Sequence, residues 1–372
     1  MDRRRVVVLF GGRSAEHEIS CLSARSVIDA LDPARHEVIP VGITREGRWH
    51  VMAAPPALPS ETGHLPEVAD GSGEAAELVE GLGRSRELVA ADGRRTEIDV
   101  VFPVLHGPYG EDGATQGLLE LAGVPFVGAG VLGSALGMDK AVQKVVFAAA
   151  GLPVVDHEVV REPEWNEDAD GVAARVEAIG FPVFTKPATL GSSVGIRKVR
   201  DHDELEAGLA EAFRYARKAV VERSVEGARE IECAVLGNDD PVASIAGEIV
   251  PRGHDFYDYD AKYLDEQGAQ LVVPADLEPA LLTTIQRMAV TAFRAIECAG
   301  MARVDFFVRG DEVLVNEVNT IPGFTSISMY PKLWEASGLP YPDLVERLLD
   351  LAVERHDAEA SKTSQPTSPL EG

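Results

Sequence analysis

The chain has 372 residues, of which 45% are hydrophobic, enough to form the packed cores of two or three domains. Acidic residues outnumber basic ones by 61 to 35, and the resulting net charge of −26 disfavours nucleic acid or an anionic membrane as a partner. An anionic substrate would therefore need a local cluster of cations or backbone N–H groups.

The cysteines and the N-terminus both indicate a cytoplasmic protein. Cys21, Cys233 and Cys298 are far apart and form no metal-spaced motif, which fits a reducing compartment. The apolar run at residues 6–10 is too short for the hydrophobic region of a signal peptide or for a membrane span.

Two buried strands are predicted in the first third of the chain. Residues 6–10 lead into Gly11 and Gly12, and residues 100–105 lead into His106 beside a glycine-rich loop. Open α/β sheets bind ligands where such strands end, so we expect His106 to line a site rather than to be a core histidine. The Gly11 turn lacks the GxGxxG pattern, which disfavours a NAD-dependent dehydrogenase. The intervening residues 53–97 read as a surface insertion that ends in a short hairpin.

The middle of the chain predicts a phosphate-covering hairpin. Residues 134–150 form a predicted helix that carries Lys140. Lys186 ends the predicted strand 181–186, and a Gly/Ser loop then leads directly into a returning strand, so the loop is not a Walker A element. Its N–H groups and Ser192 and Ser193 hydroxyls suit phosphate oxygens.

Further strands are predicted at 219–222, 230–236 and 242–250, with a hinge between the first two. The loop 255–263 is aromatic and mostly acidic, which is typical of a lid over a site. A long helix at 279–299 follows, and helices continue to about residue 356. The polar tail 357–372 is expected to be disordered.

A hairpin at 303–319 inserts oxygen ligands into otherwise apolar strands. A three-residue loop that pairs Arg309 with Val313 would place Asp305 opposite Glu317 and Arg303 opposite Asn319. A two-residue turn would shift the register by one and scatter these polar groups. The opposite, core face would then hold Val304, Phe306, Leu314 and Val318.

This polar face has two interpretations. Two adjacent carboxylates repel unless a cation lies between them, and oxygen-only ligands suit Mg²⁺. Alternatively, the face is solvated and Arg303 neutralises Asp305.

Taken together, these stretches resemble the ATP-grasp enzymes, and in particular the D-alanine–D-alanine ligases, from residue 6 to about residue 353. The motifs that bear the resemblance are GGRSAEHEIS at 11–20, HG at 106–107, GEDG at 110–113, MDK at 138–140, KP at 186–187, GSSVG at 191–195, YDYDAKY at 257–263 and NEVNTIPG at 316–323.

The resemblance implies an α/β (α+β ATP-grasp) fold with three parts. These are an N-terminal open parallel βαβ domain at 1–133, a small central α+β subdomain at 134–222, and a larger C-terminal α+β domain with an antiparallel sheet at 223–356. It also implies a homodimer that uses ATP and two Mg²⁺ or Mn²⁺ ions to join two D-alanines, through an acyl phosphate, for peptidoglycan precursor synthesis.

Site roles follow from the same resemblance. The implied metal ligands are Asp305, Glu317 and Asn319. The implied ATP contacts are Lys140, Lys186, Ser192, Ser193, Glu222, Glu230, Lys262 and Asn316. Arg303 would stabilise the tetrahedral intermediate, and Ser192 would link the phosphate-covering loop to the substrate. Tyr263 with Lys262 would form the lid. Residues near the two amino acid substrates would be Glu16 and His106 for the first, and Gly323, Ser326 and Ser328 for the second.

Three alternatives stay open at this point. A D-alanine–D-lactate ligase would make an ester, although Tyr263 beside Lys262 resembles the dipeptide-forming pattern. Another ATP-grasp carboxylate–amine ligase would not need both Glu16 and Ser328. A regulatory nucleotide-binding module would be expected to have lost metal ligands that this sequence retains.

Overall fold

The computed structural model describes residues 3–56, 65–79, 86–251 and 269–362. The predicted lid, which includes Lys262 and Tyr263, lies outside the described residues, as does the tail from residue 363 onward. Among the described residues, no helix has the length and hydrophobicity needed to cross a membrane.

The N-terminal sheet combines parallel strands with an antiparallel meander. Strand β1 (Arg4–Gly11) lies between β2 (His36–Ile43) and β7 (Val100–Pro103) and is parallel to both, as the buried apolar runs predict. Antiparallel strands then extend the sheet from β2 in the order β3 (Trp49–Val51), β4 (Glu74–Val79), β5 (Glu87–Ala90) and β6 (Arg95–Glu97). The predicted insertion thus contributes strand β4 as well as the predicted β5–β6 hairpin.

Helices α1 (His17–Ala30) and α2 (Ala114–Leu121) each begin just beyond a glycine-rich turn at the carboxyl ends of β1 and β7. The single helix predicted at 134–150 is two helices, α3 (Val131–Met138) and α4 (Lys140–Ala149). Asp139 causes the break because its extended backbone lets its carboxylate accept the Ala141 and Val142 N–H groups. Lys140 is therefore the first residue of α4.

A four-stranded antiparallel sheet forms the middle of the chain. Its order is β10 (Arg197–Val199), β9 (Val183–Pro187), β11 (Lys218–Arg223) and β8 (His157–Arg161). The helices that accompany it are α5 (Glu162–Glu167), α6 (Ala169–Ile179) and α7 (Leu205–Phe213), with a 3₁₀ turn at His202–Glu204. The β9–β10 pairing confirms the predicted hairpin around the Gly/Ser loop.

A five-stranded antiparallel sheet forms the last part. Its order is β14 (Ala269–Val272), β13 (Val242–Pro251), β12 (Arg229–Gly237), β15 (Gly300–Arg309) and β16 (Glu312–Asn319). The helices are α8 (Pro279–Ala295), α9 (Met329–Ala336) and α10 (Tyr341–Ala360). Helix α10 continues four residues into the segment expected to be disordered, so order extends further than the polar composition predicts.

The β15–β16 hairpin confirms the predicted facing of Asp305 with Glu317 and of Arg303 with Asn319. The predicted loop is wrong, because Arg309 pairs with Glu312 across a two-residue turn. A bulge at Asn316 restores the register, since Phe306 pairs with Val315 while Asp305 pairs with Glu317. The core face consequently takes Val313 and Val315 instead of the predicted Leu314.

The N-terminal sheet and the last helices share one hydrophobic core. The Phe324 ring lies 5.6 Å from the Phe102 ring and 5.7 Å from each of the Tyr330 and Tyr341 rings. All of these residues except Tyr341 are fully buried. This packing fixes the segment that follows β16 against the carboxyl ends of β1 and β7.

Candidate active site

A cavity of about 530 Å³ lies between the four-stranded and five-stranded sheets. Strands β9 and β11 form one wall, strands β12, β13, β15 and β16 form the other, and the hinge after β11 closes one end. The predicted residues that line it are Lys140, Lys186, Ser193, Glu222, Glu230, Arg303, Asp305, Asn316 and Glu317. The fold thus gathers most of the predicted nucleotide site from distant parts of the chain.

One face of the β15–β16 hairpin presents the candidate metal ligands to the cavity. Asp305 accepts from Arg303 Nε and Nη2 at 2.7 Å each, and Asn319 Nδ2 donates to Asp305 Oδ2 at 2.9 Å. Glu317 Oε2 lies 3.0 Å from Lys140 Nζ. Each carboxylate therefore has a neighbouring cation that relieves the repulsion between them.

This donor set fits a hard divalent cation. The site offers the carboxylates of Asp305 and Glu317 and the side-chain amide of Asn319. In the described part of the chain, no group of three or more His, Cys, Asp or Glu could hold a metal ion. Mg²⁺ takes one or two carboxylates and completes its shell with water and phosphate oxygens, which suits Asp305, Glu317 and Asn319 beside a cavity.

Glu222 is buried between two lysines. Its carboxylate lies 2.5 Å from Lys186 Nζ and 2.9 Å from Lys144 Nζ. Burial alone would raise the pKa of Glu222, but the two ammonium groups outweigh it and lower the pKa to about 2. Lys186 also lies 3.5 Å from Asn316 Oδ1, and Lys144 donates to the Asn316 carbonyl at 3.4 Å.

Two charged residues of the site, Lys144 and Glu232, were not predicted from the sequence. Lys144 is only 1% exposed and cannot reach into the cavity, but it stands one helical turn from Lys140 in α4. Glu232 is 4% exposed, lines the cavity and lies 3.0 Å from Arg303 Nε. Glu230 and Glu232 alternate with the apolar Ile231 and Cys233 in strand β12, and this alternation was a signal that could have identified Glu232.

Arg303 is held between Glu232 and Asp305. Burial disfavours its charge, but the two carboxylates outweigh that effect and raise the pKa of the Arg303 guanidinium. The side chain is therefore a fixed positive charge at the edge of the cavity, which suits an anionic intermediate.

The Gly/Ser loop connects the cavity with the N-terminal domain. Ser192 and Ser193 both have left-handed backbones, with φ of +52° and +57°. The Ser192 hydroxyl donates to the Glu16 carboxylate, and Lys140 Nζ donates to the Leu190 carbonyl at 2.8 Å. Such strained backbone at a ligand loop is held in place by these contacts.

Glu16 and His106 lie at the carboxyl ends of the parallel strands, as predicted. Glu16 is 9% exposed, and Gly107 approaches it so closely that an added Cβ would lie 3.0 Å from Glu16 Oε2. His106 Nδ1 lies 3.0 Å from the Ile321 carbonyl, so Nδ1 carries the proton and Nε2 accepts from Ser23 Oγ at 3.2 Å. Burial lowers the pKa of His106, which favours this neutral ring.

The predicted second-substrate residues lie in the turn before α9. Gly323 is adjacent to Ser328, whose Oγ accepts from the Thr325 N–H at 3.2 Å and lies 2.7 Å from Thr325 Oγ1. Ser326 is exposed and does not line the 530 Å³ cavity. Of the three predicted residues, Gly323 and Ser328 thus lie together while Ser326 points to solvent.

Comparison with known proteins gives a consistent result over both halves of the chain. The family described as D-ala D-ala ligase N-terminus matches residues 5–129, and the family described as D-ala D-ala ligase C-terminus matches residues 146–350. The chain is 47% identical to the D-alanine–D-alanine ligase of Acetivibrio thermocellus, over 96% of this chain and 97% of the relative. It is 48% identical to that of Geobacillus thermodenitrificans, over 95% and 96% respectively.

Solved structures show the same similarity. The D-alanine–D-alanine ligase from Coxiella burnetii superposes with a TM-score of 0.84 at 41% identity and covers 97% of each chain. The VanG D-Ala:D-Ser ligase from Enterococcus faecalis superposes with a TM-score of 0.81 at 32% identity, over 94% of this chain and 100% of that one.

Proposed function

Because this chain belongs to the D-alanine–D-alanine ligase family, we propose that it is an ATP-dependent ligase that joins two D-alanine molecules into D-alanyl-D-alanine. The observation that supports this most is the hydrogen bond from Ser192 to Glu16. It links the phosphate-covering loop of the nucleotide cavity to the residue proposed to hold the first amino acid. A nucleotide and an amino acid carboxylate would therefore meet beneath one loop.

In the first half-reaction, an oxygen of the first D-alanine carboxylate attacks the γ-phosphorus of ATP, and the bond from that phosphorus to the β,γ-bridging oxygen breaks. The products are D-alanyl phosphate and ADP. Phosphoryl transfer needs alignment and charge neutralisation more than covalent catalysis. Lys140 and Lys186 would contact the phosphates, and Glu16 would hold the substrate ammonium group.

In the second half-reaction, the amine of the second D-alanine attacks the carbonyl carbon of D-alanyl phosphate. A tetrahedral oxyanion forms, the amine loses a proton and inorganic phosphate leaves. Arg303 is positioned to stabilise this oxyanion because Glu232 and Asp305 hold its guanidinium at the cavity edge. Gly323 and Ser328 would bind the second substrate, and Tyr263 with Lys262 would cover the site.

We assign Asp305, Glu317 and Asn319 as ligands of two Mg²⁺ or Mn²⁺ ions. Such ions supply charge neutralisation of the phosphate oxygens when they are bound. The family resemblance implies two ions, and the facing carboxylates of Asp305 and Glu317 would hold them. Titration of ADP release with each metal separately would give the preferred ion.

The decisive experiment measures ADP release while D-alanine is titrated, with identification of the product by mass spectrometry. We expect D-alanine to stimulate ADP release and D-alanyl-D-alanine to accumulate in equal amount. A mixture of D-alanine and D-lactate at several pH values tests the ester-forming alternative. Predominant depsipeptide at alkaline pH would overturn the assignment, and no stimulation by D-alanine would favour a different ATP-grasp ligase.

We also propose that the protein is a cytoplasmic homodimer. Leu121, Val131 and Leu132 are exposed by 75%, 38% and 58% on α2 and the adjacent start of α3. Two copies with a net charge of −26 repel least where they meet through uncharged side chains. Light scattering should give twice the mass of one chain, and Leu132→Asp should halve it; a wild-type mass equal to one chain would refute the dimer.

The proposed domain division at 133 and 222 needs adjustment to the elements. Position 133 falls inside α3, and position 222 is the penultimate residue of β11. We place the boundaries at the neighbouring loops, before α3 and after β11, because few backbone hydrogen bonds are broken there.

A further inference from the structure

Both backbone polar groups of Ile321 form hydrogen bonds with side chains of the N-terminal domain. Its N–H donates to Glu111 Oε2 at 3.2 Å, and its carbonyl accepts from His106 Nδ1 at 3.0 Å. Glu111 Oε1 also accepts from the Gly107 N–H at 3.0 Å. A single carboxyl group thus ties the loop after β7 to the segment that follows β16, 210 residues later in the chain.

These two segments form the two substrate ends of the site. Gly107 packs against Glu16, the residue proposed for the first D-alanine. Ile321 lies between Asn319 and Gly323, the latter proposed for the second D-alanine. A displacement of either segment would therefore change the distance between the acyl phosphate and the attacking amine.

We propose that Glu111 is a positioning residue that sets the second-substrate segment relative to the first-substrate wall, an inference that rests on the proposed ligase function. It acts through the amides of Gly107 and Ile321, not through contact with the reacting atoms. Its two oxygens can each accept one N–H bond, whether or not the group is ionised.

The geometry requires the length and the two acceptors of glutamate. An aspartate at position 111 is one methylene shorter and cannot reach both amides from the same backbone. A glutamine keeps the length but offers one acceptor oxygen, so its NH₂ group would face one of the two N–H donors. Both changes should loosen the segment that contains Ile321 while leaving Glu16 and the ATP cavity in place.

The neighbouring Asp112 provides a matched control. Its carboxylate accepts from the Tyr109 N–H at 2.8 Å and from the Ala114 N–H at 3.0 Å, which are contacts within its own loop and the start of α2. Asp112→Asn therefore makes the same change of carboxylate to amide one residue away, without touching the segment after β16.

The experiment compares the full-length wild-type protein with Glu111→Gln, Glu111→Asp and Asp112→Asn. ADP release is measured over D-alanine concentration to obtain separate Michaelis constants for the two D-alanine sites, and over ATP concentration at saturating D-alanine. We expect both Glu111 variants to raise the constant for the second D-alanine by roughly 10-fold and also to lower kcat, since misplacement of a bound reactant by about 1 Å can slow its reaction by up to about 100-fold. The constant for ATP should stay within about twofold, and Asp112→Asn should match the wild type.

Several outcomes would overturn the proposal. Unchanged constants in both Glu111 variants would show that the link is not needed. An equal rise in the constants for ATP and both D-alanines, or a similar effect in Asp112→Asn, would indicate a general loss of structure instead. Circular dichroism and thermal unfolding identify a variant that fails to fold. If Glu111→Gln fails to fold, Glu111→Asp supplies the test. A wild-type protein that makes no D-alanyl-D-alanine would refute the ligase function itself, a distinct result.

Discussion

Asp305 lies directly opposite Glu317 in the β15–β16 hairpin, although the turn between the strands has only two residues. The extra residue at Asn316 compensates for the short turn and moves every later side chain of β16 to the opposite face. The bulge also brings Asn316 Oδ1 to 3.5 Å from Lys186 Nζ and its carbonyl to 3.4 Å from Lys144 Nζ. One irregularity therefore builds both the carboxylate pair and its junction with the lysines.

Loss of either facing carboxylate should abolish turnover without unfolding the protein. We expect Asp305→Asn and Glu317→Gln to lower kcat by roughly 1,000-fold, because each removes a charged metal ligand from a phosphoryl-transfer site. Steady-state ADP release at increasing Mg²⁺ measures the effect, with circular dichroism as the check on folding.

Glu312→Gln is the control for this pair. Glu312 lies on the same strand, its side chain is 45% exposed and it pairs with Arg309 at the far end of the hairpin. Its neutralisation should cost less than about 1 kcal/mol of stability and leave turnover unchanged. Near-normal turnover in Asp305→Asn or Glu317→Gln would refute the metal role.

The sequence correctly predicted that Asp305 faces Glu317, but one of the two steps that led to this prediction was wrong. Alternation correctly required the polar residues to share a face, but the inferred three-residue loop was wrong. The predicted three-residue loop and the observed two-residue turn followed by a one-residue bulge both place Asp305 opposite Glu317. The difference appears only between the turn and the bulge, where Val313 and Val315 are buried instead of Leu314.

Contacts between distant segments set the limit of such reasoning. A helix pattern places Lys144 on the same face as Lys140, but nothing local reveals that its partner is Glu222 on β11. The break between the two helices at Asp139 could have been predicted, since aspartate is a preferred N-cap residue before a helical segment. The Glu111–Ile321 contact joins two domains and depends on how they pack.

A methyl group at Gly107 should disturb the first-substrate site. Gly107 has φ of +74°, and an added Cβ would lie 3.0 Å from Glu16 Oε2 and 3.2 Å from Ser14 Cβ. We expect Gly107→Ala to raise the Michaelis constant for D-alanine by roughly 10-fold, because Glu16 must move. The measurement is ADP release at saturating ATP.

Gly123→Ala separates this effect from backbone strain. Gly123 also has a positive φ, +66°, but nothing lies within 4 Å of an added Cβ. Both variants should lose about 1 kcal/mol of stability from the left-handed conformation, and only Gly107→Ala should change the Michaelis constant. Equal kinetics in the two variants would argue against close packing of Gly107 on Glu16.

Removal of the Lys144 charge should weaken ATP binding from a distance. When Lys186 turns to a phosphate, Lys144 remains to neutralise the buried Glu222; without it, that carboxylate would be left unpaired. We expect Lys144→Met to raise the dissociation constant for ATP by roughly 10-fold. Because Lys186 still pairs with Glu222 in the ligand-free protein, the free energy of unfolding should fall by less than the about 3 kcal/mol that a fully unpaired buried charge costs. Isothermal titration with ATP and denaturant unfolding would measure these changes.

The double variant Lys144→Met/Glu222→Gln is the internal test of that explanation. It removes both buried charges, so it should recover much of the stability lost in Lys144→Met. A double variant no more stable than Lys144→Met would argue against this explanation, and an unchanged ATP constant in Lys144→Met would exclude the proposed charge compensation.

The stability of the ligand-free protein should depend on the ionisation of Glu111. Burial, and then the nearby Glu16 carboxylate, raise the pKa of Glu111 to about 8, against the opposing effects of two amide donors and Lys140. A carboxyl group whose pKa is raised on folding stabilises the protein fully below its unfolded pKa, and this contribution is lost as the pH rises through its folded pKa. Between about pH 5 and about pH 9, the wild-type Tm should therefore fall by about 5 °C more than that of Glu111→Gln. Glu16→Gln should reduce the wild-type slope, since it removes the charge that opposes ionisation, whereas parallel Tm curves for all three proteins would contradict the raised pKa.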